Sequence, residues 1–149
     1  MLNRDYTGQN CSVARALEVV GERWTLLIVR DVFLGLRRFD ELQESLGIAR
    51  NVLADRLNRL VEDGVLEKVR YSERPERFEY RLTAKGRDLN VAIAGLRQWG
   101  DKYLSQKPPR LLRRREDKKP VVAALVTKGT PVLRPNEVES VPGPGLKSG

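Results

Sequence analysis

Between Cys11 and Leu104 apolar residues recur three and four positions apart, except in one stretch where they alternate. Val13, Leu17 and Val20 set one face of a helix over residues 11–20, and Gly21 interrupts before a second apolar helix over residues 22–34. There Trp24, Leu27, Ile28 and Val32 fall on one stripe that predicts a buried face, and Gly35 ends the helix. Phe39, Leu42 and Leu46 share a face of a short helix whose first turn carries Asp40 and Glu41, charges that suit a helix N-terminus. After a break at Gly47, Ile48 and Ala49, the residues Leu53, Leu57, Leu60 and Val61 define the buried face of a helix over residues 50–63, with Gly64 as its C-terminal cap. Two helices joined by a short glycine-containing turn predict a helix-turn-helix.

Past Gly64 the period changes. Residues 65–71 are strand-like, residues 72–76 read as a turn, and residues 77–82 alternate with Phe78, Tyr80 and Leu82 on one face, which predicts a β-hairpin with basic residues at its tip. Thr83 can cap a last helix over residues 84–104. Along it Leu89, Ala92 or Ile93, Leu96, Trp99 or Gly100, and Tyr103 form a near-heptad seam on a helix that is long for the core it must cover. Such a seam predicts packing against another subunit. The expected dimer interface is therefore Leu89, Ile93, Leu96, Trp99 and Tyr103, joined by Val13 and Leu17 of the first helix. The element order is that of a winged helix-turn-helix: an α+β, mainly helical fold with flanking N- and C-terminal dimerisation helices and a short β-hairpin wing.

Composition narrows the chemistry. A length of 149 residues at 40% hydrophobic supports one modest core. The net charge of +8 suggests a polyanionic partner, nucleic acid or an acidic membrane surface. With no histidine and a single cysteine, Cys11, the usual zinc sets, a Ser-His-Asp triad and a Cys-His pair cannot be assembled within one chain, so neither an enzyme nor a metal or cofactor is expected. A lone cysteine forms no intrachain disulfide, and Arg4 and Asp5 stand where a signal peptide would be apolar, which together point to the cytoplasm. The longest apolar runs, residues 26–29 and 121–126, are far too short for a membrane span. Residues 1–104 carry 18 basic and 16 acidic side chains, the remainder 10 and 4, and seven of the eight prolines lie in that remainder. This places a boundary near Ser105, with the winged helix-turn-helix and its dimerisation helices over residues 1–104 and a basic, proline-rich extension over 105–149 that reads either as a solvated linker followed by a small β-hairpin or as a basic arm able to follow DNA phosphates. The strands expected there are residues 121–126 and 138–141, with a turn at Gly129-Thr-Pro131.

Several motifs in order carry a family resemblance: Cys11-Ser-Val-Ala-Arg-Ala-Leu17, Gly21-Glu-Arg-Trp-Thr-Leu-Leu27, Arg38-Phe39-Asp-Glu-Leu42, Arg50-Asn-Val-Leu53 with Arg56, Leu57 and Leu60, Asp63-Gly64, and Tyr80-Arg-Leu-Thr-Ala-Lys-Gly86. Residues 11–104 resemble the HxlR-type family of bacterial transcription regulators. The resemblance implies a dimeric DNA-binding repressor or activator, associated with the nucleoid. Members commonly carry serine where this chain has Ala49, so the cap of the second motif helix, and one backbone contact to DNA, are missing. The extension is similar to ones that carry paired metal-binding cysteines in some members, but this chain has none of those cysteines.

With Leu53, Leu57 and Leu60 turned inward, Asn51, Asp55, Asn58 and Arg59 turn outward and Arg50 stands at the helix start. Asparagine suits adenine, arginine suits guanine or phosphate, and Asp55 can accept from a cytosine amine or orient a neighbouring arginine. An ordinary solvated face is the alternative. Arg37 and Arg38, ahead of the first motif helix, suit a phosphate or a salt bridge to Asp40 or Glu41. Arg74 and Arg77 at the wing suit a backbone or minor-groove contact, with Glu73 and Glu76 beside them weakening the local field. Trp24 and Trp99 read as core or seam residues, with a pocket between them as the other reading.

Cys11 starts a helix with Arg15 one turn on, a setting that favours the thiolate. A buried packing thiol is the commoner fate of a free cysteine, whereas the resemblance implies a switch for oxidants or electrophiles. The expected partners are double-stranded DNA with an inverted-repeat operator, a second copy of the chain, and a small-molecule or oxidant effector. The rival function is an RNA-binding or ribosome-associated protein using the basic extension, but the aromatics Phe78 and Tyr80 face the core rather than offering a stacking platform.

Overall fold

The computed structural model describes residue 8 and residues 10–147; Arg4 and Asp5 lie outside the described residues. It divides into two compact units, Met1–Arg87 and Asp88–Gly149.

The first unit contains α1 (Ser12–Val20), α2 (Thr25–Phe33), α3 (Phe39–Leu46), α4 (Arg50–Glu62), β1 (Leu66–Glu73), β2 (Glu76–Leu82) and α5 (Ala84–Arg87). Its core is Ile28, Val29 and Val32 of α2, Leu42 of α3, Ile48 of the turn, Leu53, Leu57 and Leu60 of α4, and Val65, Leu66 and Tyr80 of the hairpin. The helical stripe of α2 is thus shifted from the expected one. Trp24 precedes the helix in the left-handed region (φ 84°) and is half-buried, and Leu27 is exposed, so Thr25 and Val29 complete the buried face with Ile28 and Val32. Buried Asp31 joins α2 to α3: it accepts from Arg30 Nε at 2.9 Å and from Ser45 Oγ at 2.7 Å.

Gly35 and Gly64 end α2 and α4 through the same device. Each has positive φ (100° and 73°), and the N–H of each and of its successor return to carbonyls of the last turn: Gly35 to Val32, Leu36 to Asp31, Gly64 to Val61 and Val65 to Leu60. A side chain with a Cβ would be strained at either position.

In the antiparallel hairpin Leu66 faces Leu82, Lys68 faces Tyr80 and Arg70 faces Phe78, with a register shift between Arg70 and Ser72. Burial raises the Tyr80 phenol pKa, and the Tyr80 N–H donates to the Arg37 carbonyl at 2.7 Å, tying the segment ahead of α3 to β2. Thr83 caps α5 as its sequence predicts, its hydroxyl accepting from the Gly86 N–H at 3.1 Å and donating to the Gly64 carbonyl.

The single helix expected over residues 84–104 is interrupted. Its first turn, α5, is fastened to the first unit by Lys85 Nζ on the Asp63 carbonyl (2.6 Å) and Arg87 on the Leu82 carbonyl (2.9 Å), and helix resumes only at Asn90.

The second unit contains α6 (Asn90–Tyr103), β3 (Arg110–Arg114), a 3₁₀ turn (Pro135–Glu137) and β4 (Val138–Pro142). A small antiparallel hairpin is present, running from Arg110 opposite Pro142 to Arg114 opposite Val138. Its first strand is not the apolar stretch 121–126, as expected, but the basic run. The charges there are offset locally: Arg113 and Lys118 reach Glu139 at 2.7 and 2.9 Å, and Asp117 holds Arg114. The pKa of Asp117 is held well below the usual carboxylate range by the hydrogen bond from Arg114, and that of Glu139 is lowered by those from Lys118 and Arg113. Residues 120–121 form only a short bridge to β3. The compact division falls at Asp88 rather than near Ser105, so α6 groups with the extension. Gln98 on α6 exchanges both hydrogen bonds with the Ala123 backbone, each 2.9 Å. No described residue of this unit is buried.

Candidate nucleic-acid interface

The buried leucines of α4 fix its rotation, and the opposite face is left to solvent. Asn51, Asn58 and Arg59 are exposed there, and Asp55 is half-buried. Two of the four belong to a charged network. Glu22, between α1 and α2, forms an ion pair with Arg56 at 2.7 Å and accepts a hydrogen bond from Arg59 at 3.0 Å, and Asp55 pairs with both arginines, at 3.2 Å for Arg59. Glu22 and Arg56 were not apparent as site residues from sequence, because Glu22 and Arg59 lie 37 positions apart and no periodicity links them. The network makes Asp55 an orienter of arginines, one of its two expected roles.

Arg50, the first residue of α4, folds back onto α3. Its guanidinium lies 4.7 Å from the Phe39 ring centre, with Asp40 at 3.4 Å and Gln43 at 3.3 Å. Ala49 precedes it without a side-chain cap, as its identity dictates. Arg38 stands at the start of α3, pairs loosely with Glu41 at 3.9 Å, and stacks on Tyr71 of β1 at 4.7 Å. That stack sets a basic corner where the wing meets the first motif helix. Arg37 is exposed beside it. At the wing tip Arg74 and Arg77 are exposed, whereas Arg70 is paired with Glu76 at 3.3 Å. The structure thus puts Arg37, Arg38, Arg50, Asn51, Asn58 and Arg59 on the helix-turn-helix and Arg74 and Arg77 on the hairpin, within one compact unit.

Five of the seven residues of the expected dimer interface are exposed. Leu96, Trp99 and Tyr103 are 56%, 58% and 61% exposed, and the two rings contact each other at 5.5 Å. Leu89 and Ile93 are half-buried, and on α1 Val13 and Leu17 are exposed. Trp24 and Trp99 belong to different units. Cys11 is exposed at the N-cap of α1, so among the described residues nothing covers it as a packing residue would require. The Arg15 guanidinium donates to Asn10 at 3.3 Å.

Known proteins share this arrangement. The family model described as HxlR-like helix-turn-helix matches residues 19–108. The uncharacterised HTH-type transcriptional regulator Rv3095 of Mycobacterium tuberculosis is 49% identical over 140 residues, covering 92% of this chain and 89% of the relative. The solved structure of PA1607 superposes with a TM-score of 0.72 at 46% identity, over 80% of this chain and 85% of that one. The transcriptional regulator YodB of Bacillus subtilis, in its reduced form, gives 0.55 at 30% identity over 64% and 96%. A helix-turn-helix with a β-hairpin wing, in a sequence this close to regulators of transcription, is not an enzyme's scaffold: the chain belongs to the HxlR-like helix-turn-helix family.

Proposed function

We propose that the protein is a homodimeric, sequence-specific DNA-binding repressor acting on the chromosome in the cytoplasm, with α4 in the major groove and the wing against the adjoining backbone or minor groove. The observation that carries this reading is the division of α4 into a face locked by Leu53, Leu57 and Leu60 and an opposite face offering Asn51, Asn58 and Arg59 to solvent. Two amides on one helical face, about two turns apart, suit adenine edges, and the nearby arginines suit guanine or phosphate. Arg38, Arg74 and Arg77 then supply backbone contacts without sequence preference. The exposed apolar faces of α1 and α6 support a second copy as partner, and a two-fold protein reads a two-fold site, so the operator is an inverted repeat with half-sites about 34–36 Å apart.

The exposed Cys11 thiol supports an oxidant-responsive form of this regulator, in keeping with YodB, which has been solved both reduced and diamide-treated. With no second cysteine in the chain, a disulfide would join two subunits or a small thiol. One experiment tests both levels: a genome-wide DNA footprint of wild type and Cys11→Ser, with and without a mild quinone. The reading expects inverted repeats, lost on quinone treatment in wild type and kept in Cys11→Ser. Protection of single asymmetric half-sites contradicts the dimeric reading, and quinone-insensitive footprints in wild type contradict the switch.

A further inference from the structure

The second unit holds a cleft of about 400 Å³, walled on one side by Ala94 and Gln98 of α6 and on the other by β3 and the returning segment 120–123. This size falls within the range of small-ligand sites, about 300–1,000 Å³. Its exposed lining is mainly apolar, with Ala94, Leu112, Val121 and Val141 contributing, while the charged residues around it are Arg97, Arg110, Arg113 and Lys118 against the single carboxylate of Asp101.

Arg110 distinguishes this cleft from a mere gap. Arg113 and Lys118 share Glu139, but the half-buried Arg110 guanidinium donates only to neutral oxygens, Ser140 Oγ at 2.7 Å and the Ser140 carbonyl at 2.9 Å. Among the described residues no carboxylate lies within ion-pair distance of it. A half-buried cation without a counter-ion is held at a cost that a bound anion offsets. The wall is set before any ligand arrives, because the Gln98 amide satisfies both the N–H and the carbonyl of Ala123 and so fixes the returning segment against α6.

We propose that this cleft binds a small amphipathic carboxylate, its hydrocarbon body against Ala94, Leu112, Val121 and Val141 and its carboxylate on Arg110. An apolar body is required because the lining offers little to a fully hydrated anion, and a negative head because Arg110, unlike Arg113 and Lys118 with their shared Glu139, meets only neutral oxygens. The cleft is built from residues of the second unit alone, whereas α4 and Cys11 belong to the first, so the proposal is tested independently of the proposed DNA contacts and of the thiol.

Sodium octanoate titrated into the full-length chain by calorimetry tests this. The expected result is saturable binding of one equivalent per chain, weakened at least tenfold in Arg110→Gln and in Ala94→Phe, which fills the cleft without touching the charge. Circular dichroism verifies that each variant is folded, and either variant alone suffices if the other is not. Octylammonium and inorganic phosphate are expected not to bind there. Absence of saturable octanoate binding at millimolar concentration, equal binding by the folded variants, or phosphate displacing octanoate as well as octanoate itself would each overturn the proposal, the last by marking the cleft as a site for phosphate, such as that of a nucleic-acid backbone.

Discussion

Helices α4 and α6 are 13 and 14 residues long and both repeat apolar residues three and four positions apart, yet they meet opposite fates. Leu53, Leu57 and Leu60 of α4 are at most 1% exposed, whereas Leu96, Trp99 and Tyr103 of α6 are more than half exposed. Periodicity tells that a face wants cover; it does not tell what supplies it. In α4 the cover is the rest of the chain, and the face left over is polar. In α6 the face left over is aromatic and apolar, the composition that favours a protein surface over a nucleic acid.

The contrast can be broken by matched truncations. Leu57→Ala should lower unfolding free energy by about 2–5 kcal/mol in a denaturant titration. Leu96→Ala should cost less than about 0.5 kcal/mol in samples dilute enough to be monomeric, while Trp99→Glu should shift the light-scattering mass at micromolar concentration from dimer to monomer with the circular dichroism spectrum unchanged. Equal destabilisation by the two alanine variants in dilute samples would erase the distinction between the helices.

A second, smaller contrast lies within the charged residues. The Glu22–Arg56 pair is largely buried, with side chains 17% and 16% exposed, whereas Asp40 and Arg50 are mostly in solvent. Glu22→Gln should therefore cost about 1–3 kcal/mol and loosen Arg59 on the outward face of α4. Asp40→Asn should stay within about 0.5 kcal/mol. If the two changes cost the same in thermal unfolding, the network does not position α4.

The fold was largely legible in the sequence wherever a local signal coincided with a burial signal. Gly35 and Gly64 end their helices, Thr83 caps α5, and Phe78, Tyr80 and Leu82 share a face of the wing, because a left-handed cap, a hydroxyl cap and a period of two are properties of a few neighbouring residues. What stayed hidden depends on distant partners. Nothing near Trp24 signals that it steps out of the helix, and the break after Arg87 comes with anchors to the Leu82 and Asp63 carbonyls and with Gly86 packed against the Val65 carbonyl, partners distant in sequence. Strand β3 is concealed by its arginines, whose charges are satisfied by Asp117 and Glu139 from outside the strand. At the interface the outward residues of α4 follow from its rotation alone, but the Glu22 network does not.

The smallest expected effect is on acidification. Because Asp117 and Glu139 titrate below their ordinary range in the folded chain, their contribution to the β3–β4 hairpin is complete above the unfolded carboxylate values, near pH 4, and is lost as pH falls through the lowered ones. Amide exchange in β4 should therefore speed up at low pH before α4 loses protection, and Glu139→Gln should reduce that pH dependence. Simultaneous loss in both helix and hairpin would mean that the two units respond as one.

In the proposed function the outward face of α4 reads bases while the arginines beside it hold phosphate. The most direct test is the affinity of wild type, Asn58→Ala and Arg77→Ala for cognate and scrambled duplexes across a range of salt. Asn58→Ala should lose about 1–3 kcal/mol on the cognate duplex and little on the scrambled one, whereas Arg77→Ala should weaken both and reduce the salt slope by about one. Equal losses on both duplexes for Asn58→Ala would contradict base reading by this face of α4.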